Sequence, residues 1–101
     1  MAIETINALN VIDDAKYQLY REAMTPILAE HGGGFRYDFI VAKTLKSAAT
    51  HPINRVFAIY FPDRAKKDAF FSNPAYKQIR ATYFESAVAG VTLIAEHEPE
   101  A

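Results

Sequence analysis

Between Ile53 and Phe61 the chain is apolar on both sides of an extended backbone, and no other segment restricts its fold as much. In strand geometry Ile53, Arg55, Phe57, Ile59 and Phe61 share one face, while Val56, Ala58 and Tyr60 share the other. A strand with no wet side belongs inside a sheet that is covered on both surfaces. Pro62-Asp63 then ends the strand and opens a helix, with Asp63 as its cap.

The other segments arrange themselves around this strand. Ala2 to Val11 carries Ile3, Ile6, Leu9 and Val11 without Gly or Pro and reads as a first strand. Asp13 or Asp14 caps the helix that follows, because a carboxylate there accepts an orphan N–H and suits the positive dipole end. Tyr20, Met24, Ile27 and Leu28 fall at helical spacing and form its inward stripe; Pro26 should bend it. His31-Gly32-Gly33-Gly34 stops it. Phe35 to Leu45 is a second strand, with Phe35, Tyr37, Phe39 and Val41 on one face and Arg36, Asp38, Ile40 and Ala42 on the other. Lys43 to Pro52 makes a loop longer than a tight hairpin needs.

A short helix runs from Asp63 to Phe71, and Asn73-Pro74 restarts it as cap and first helical residue. This second part carries Tyr76, Ile79, Tyr83 and Phe84. Gly90 to His97 is the last strand, and residues 98–101 form an acidic tail. The order is β-α-β-β-α-β, a split βαβ unit of the α+β class in a single domain over residues 1–97. Helices on one face of its four-stranded antiparallel sheet leave the other face in need of a partner. A second copy of the chain is the expected one.

Composition excludes several functions. Eleven basic residues against twelve acidic give a formal net charge of -1, which offers no electrostatic footprint for nucleic acid or an anionic membrane. Without cysteine there are no disulfides, thiolate nucleophiles or zinc–thiolate sites. No apolar run approaches the roughly 20 residues that span a bilayer. The first residues include Glu4 and lack a signal-peptide pattern, so the expected setting is the cytoplasm.

Three motifs carry a resemblance. His31-Gly32-Gly33, then Arg55-Val56-Phe57-Ala58-Ile59-Tyr60-Phe61-Pro62-Asp63, then Phe70-Phe71-Ser72-Asn73-Pro74-Ala75-Tyr76 resemble the family called domain of unknown function 1330, in the dimeric α/β-barrel superfamily. The resemblance covers roughly the whole chain. It implies a ferredoxin-like subunit whose sheet packs on its twin's sheet to close an α/β barrel. Relatives in that superfamily include cofactor-free monooxygenases, haem-degrading enzymes, small lactone isomerases and members with no known activity. These markers concern ancestry; the fold hosts several chemistries and does not choose among them.

Chemistry must therefore be sought in side chains. His31 reads as a helix cap and His97 as a solvated strand end, whereas His51 lies in the long loop, where ligand contacts concentrate. No histidine spacing matches a metal site, and no metal or cofactor is expected. Arg36, Asp38 and Arg55 are charges within aromatic strands and must pair or reach a pocket. An Arg–Asp pair across the sheet or across the dimer is one solution; Arg55 presenting its fork to a carbonyl or anionic ligand is the other. His51 and Arg55 are thus the candidates for a catalytic role. Tyr17, Tyr20, Phe39, Arg55, Phe57 and Tyr83 are the candidates to touch a ligand between helices and sheet. Tyr76 reads as the anchor of the helix restart.

Two functions compete. One is binding or conversion of a small, apolar, carbonyl-bearing metabolite without metal; the other is a non-catalytic dimeric structural or ligand-sensing module. Haem binding through His31 or His51 is a weaker third.

Overall fold

A computed structural model describes residues 1–99. Part of the expected acidic tail, Glu100 and Ala101, lies outside the described residues. The strands are β1 (Ile3–Val11), β2 (Gly34–Ile40), β3 (Arg55–Phe61) and β4 (Val88–His97). The helices are α1 (Asp14–Glu30), α2 (Arg64–Ser72) and α3 (Pro74–Ile79). A π-helical turn, Arg80–Phe84, and a last α-helical turn, Glu85–Ala87, continue α3 into β4. The four strands form one antiparallel sheet in the order β2-β3-β1-β4, so the doubly apolar β3 is an interior strand.

Local chemistry sets the boundaries of α1. The Asp13 carboxylate accepts from the Lys16 N–H at 3.0 Å and caps its start. At its end Gly33 N–H donates to the Leu28 carbonyl and Gly32 N–H to that of Ala29, each at 3.0 Å, with Gly32 at φ 72°. This is the Schellman arrangement, and only glycine takes that φ without strain. A Cβ on Gly33 would lie 2.6 Å from Leu28 Cδ1 and 2.8 Å from the Tyr60 carbonyl oxygen, so the chain can turn closely under the sheet only with glycine there. Pro26 does not interrupt the helix; it sits on the exposed side, where water replaces the lost donor.

The buried face of α1 consists of Tyr17, Tyr20, Met24 and Leu28. They pack with Leu9, Ile59 and Phe61 of the sheet and with Phe70, Tyr76 and Phe84 of the later helices. All helices therefore cover one face of the sheet, and each such side chain contributes about 1.5–3 kcal/mol by burial.

The second strand departs from simple alternation. Phe35 opposes Ile59 while Tyr37 opposes Ala58, so Arg36 is one residue too many: a β-bulge. Past it the faces exchange. Asp38 and Ile40 join Phe35 on the helix side, whereas Tyr37 and Phe39 turn to the bare side with their rings stacked at 6.1 Å. The expected grouping of Phe35 with Tyr37 and Phe39 is thus corrected, because alternation holds only while each residue has a single partner. The strand also ends at Ile40, short of Leu45.

Two ties anchor the loop over residues 41–54. The Asn54 side-chain amide donates to the Val11 carbonyl and its oxygen accepts from the Val11 N–H, both at 2.8 Å. His51 lies on β4, with Nε2 2.7 Å from Thr92 Oγ1, and a Cβ on Gly90 would fall inside its imidazole.

Candidate functional site

Helices and sheet enclose a cavity of about 290 Å³. Its walls are largely aromatic, with Tyr17 and Tyr20 from α1, Phe35 and Phe57 from the sheet, and Phe71 and Phe84 from the later helices. The half-exposed Val91 and Leu93 of β4, paired with Leu9 and Asn7 on the helix side of the sheet, complete the lining at its open end.

A few polar groups interrupt this apolar surface. The Asn7 amide donates to Thr5 Oγ1 at 3.1 Å on β1. Opposite, the hydroxyls of Tyr20 and Tyr76 meet at 2.8 Å, both side chains being buried. Burial pushes the Tyr20 hydroxyl far above its usual pKa, the Tyr76 hydroxyl adds to this, and the Arg80 guanidinium opposes them. Tyr20 therefore stays a neutral O–H donor throughout the physiological range.

Tyr76, Arg80 and Phe84, four residues apart, all line the cavity. The π-helical turn carries the last two: its closing bond runs from Glu85 N–H back to the Arg80 carbonyl. Turns of this type recur at functional sites. The Arg80 guanidinium lies 4.3 Å from the Phe84 ring centroid, a cation–π contact. Lys67 also reaches the cavity and pairs with Glu96 at 2.5 Å; Arg64 holds the same carboxylate at 3.2 Å. The hydrogen bonds from Lys67 and Arg64 hold Glu96 below the ordinary carboxylate range.

A second polar cluster lies at the surface beside α1. Arg55 donates from Nε and Nη2 to the two Asp38 oxygens, each at 2.8 Å, and Arg21 donates to Asp38 Oδ2 at 2.8 Å. Arg21 also donates to the Tyr17 hydroxyl at 3.0 Å, and its guanidinium carbon lies 3.5 Å from the Phe35 ring centroid. Partial burial alone would raise the Asp38 pKa, but the hydrogen bonds from Arg55 and the charge of Arg21 outweigh it, and the carboxyl is held below its usual value. Burial raises Tyr17 despite Arg21 beside it.

The residues singled out from sequence divide by location. Tyr17, Tyr20 and Phe57 line the cavity. Arg55 lines a shallow surface depression with Arg21 and Asp38, one side chain removed from the cavity through Tyr17. Tyr83 packs half-buried against the core without lining the cavity, and Phe39 is on the opposite face of the sheet. His51 is also on that opposite face, against Gly90 and Thr92. His31 donates from Nδ1 to the Ile27 carbonyl at 2.7 Å, and His97 faces the buried Glu4 at 3.0 Å. Sequence reasoning passed over Lys67, Phe71 and Arg80. The four-residue spacing from Tyr76 to Arg80 to Phe84 was the available signal, although a basic residue in a helical row usually marks the solvated side.

Among the described residues no grouping of His, Asp and Glu is able to hold a metal ion, and no helix is long and apolar enough to cross a membrane.

Solved structures share this architecture. A protein of unknown function from Rhodopseudomonas palustris superposes with a TM-score of 0.83 at 17% identity, over 99% of this chain and 83% of the other. A dabb family protein with a ferredoxin-like fold from Mesorhizobium loti gives 0.67 at 12% identity, over 99% and 98%. A dimeric ferredoxin-like protein of unknown function from Jannaschia gives 0.59 at 15% identity, over 98% and 100%. At these identities the likeness establishes the ferredoxin-like fold alone. No curated protein matches the chain. Residues 5–97 match the family described as Domain of unknown function (DUF1330), and the chain belongs to that family.

Proposed function

We propose that the protein is a homodimer that binds a small, mostly apolar, carbonyl-bearing metabolite between sheet and helices, without a metal. The cavity carries this reading: aromatic walls with a buried pair of tyrosine hydroxyls suit an apolar body with one oxygen acceptor. Its volume lies near the lower end for ligand sites, which favours a one-ring or short branched molecule. Binding is favoured over turnover because none of the three histidines lines the cavity and both α1 tyrosines are held protonated. Arg55 acts in this reading as a positioning residue, through Asp38, Arg21 and the Tyr17 hydroxyl. A cysteine-free, nearly neutral chain fits a cytoplasmic setting with neither nucleic acid nor membrane as partner.

The bare sheet face supports pairing with a second copy. Tyr37 and Phe39 are 53% and 57% exposed there. On the same face the buried Glu4 carboxylate lies 3.4 Å from Arg36 Nε and 3.0 Å from His97 Nε2, a polar cluster at the rim of the exposed aromatic pair. The Jannaschia protein is itself described as dimeric.

A thermal-shift and native mass-spectrometry screen of small aromatic acids, their esters and amides, lactones and quinones tests the binding reading. A ligand at a hundred times its dissociation constant adds roughly 2.7 kcal/mol. Val91→Trp, which narrows the cavity, should abolish the shift. A panel without a single stabilising member would remove the proposal.

A further inference from the structure

The charge and proton inventory of the cavity narrows the ligand further, given that the cavity is a ligand site. Two hydroxyls that share one hydrogen bond carry two protons, so the Tyr20–Tyr76 pair has one proton to spare. Neither hydroxyl meets another acceptor among the described residues. A buried donor left unmade is costly, and the open cavity is where its acceptor must come from. Arg80 is the second element. It lines the same cavity, rests on Phe84 and has no ion-pair partner among the described residues. Lys67, the other cation in the lining, is already paired with Glu96, so Arg80 is the cavity's cation left without a carboxylate among the described residues.

We infer that the cavity takes a small apolar monocarboxylate, its ring or branched chain among the aromatic walls, one oxygen accepting from the Tyr20–Tyr76 pair and its charge met by Arg80. A carboxylate matches a single guanidinium in charge and in planar, two-pronged geometry. A phosphate dianion would need more donors than one free guanidinium and one O–H provide.

The test uses matched acids, primary amides and methyl esters of benzoic, phenylacetic and cinnamic scaffolds, titrated calorimetrically into the intact protein. The acids should bind about tenfold or more tightly than their amides, and raising sodium chloride from roughly 20 to 500 mM should weaken the acids alone. Arg80→Gln should bring the acid-to-amide ratio close to one, and Arg80→Lys should keep part of it. Should Arg80→Gln not fold, the wild-type ratio and its salt dependence decide. Equal binding of acid and amide, or a preference that survives Arg80→Gln, overturns the inference. Esters or amides that bind while acids do not also overturn it and leave the binding proposal standing; silence from every compound removes both.

Discussion

Arg55 and Asp38 face each other on neighbouring strands through two parallel hydrogen bonds of 2.8 Å, and Arg21 caps the same carboxylate from α1. The carboxylate thus fastens helix to sheet where the guanidinium groups of Arg21 and Arg55 would otherwise repel. Asp38→Asn keeps the shape and removes the charge. It should cost about 1–2 kcal/mol, between the values for exposed and buried pairs, because Asp38 remains partly open to solvent. Urea unfolding checks this: the midpoint falls while the slope stays constant. A change within about 0.3 kcal/mol would show the fork to be ornamental.

Acid should expose the same interaction. The folded Asp38 pKa lies below its unfolded value. Its contribution is therefore complete above about pH 4, where the unfolded carboxyl ionises, and is lost as pH falls through the lower folded value. Stability curves of wild type and Asp38→Asn should converge across that window. Parallel curves down to the acid limit would contradict the assignment.

The tyrosine pair makes a non-additive prediction. Tyr20→Phe strands the Tyr76 hydroxyl, and Tyr76→Phe strands that of Tyr20, so either should cost about 1–3 kcal/mol. The double variant leaves no orphan and should lie close to wild type in stability while losing affinity for any ligand found. A double-mutant cycle by chemical denaturation measures the coupling. Strictly additive losses would mean that the hydroxyls do not depend on each other.

Gly90 governs the long loop. Gly90→Ala places a methyl group where the His51 ring rests, forcing the imidazole off β4 and breaking its contact with Thr92. Stability should drop by about 1–2 kcal/mol, as for other overpacking changes. Trypsin should also cut faster after Lys43 or Lys46. Unchanged digestion would show that other contacts hold the loop.

Phe39→Lys tests the pairing of subunits. Because Phe39 is more than half exposed in one chain, the subunit's own fold should tolerate the change. Sedimentation should show dimer dissociation at about tenfold higher concentration, or more. A wild-type protein that sediments as a single subunit at micromolar concentration would remove the dimer.

The fold was legible because its signals are local and repeated. Asp13, Asp63 and Asn73 each announce a helix start through a side-chain oxygen that accepts from a backbone N–H two or three residues on, and each does so in the structure. The inner position of β3 followed from its two apolar faces. The candidate site was harder to read. Tyr17, Tyr20 and Phe57 could be named because aromatic residues facing helix and sheet have few other places to go. Arg80 was harder to name, since a basic residue in the helical row Tyr76, Arg80, Phe84 usually marks the solvated side, yet here it lines the cavity. The bulge at Arg36 was not legible for a related reason: it depends on what the neighbouring strand offers, and that strand begins nineteen residues later.

The extra residue in β2 also has an evolutionary meaning. Inserting or removing one codon at Arg36 would trade an aqueous surface for an oily one along the rest of that strand, with every other amino acid unchanged. A single length change there is therefore enough to switch this surface between sticky and wet, and an alignment that places its gap elsewhere would credit the difference to the wrong substitutions.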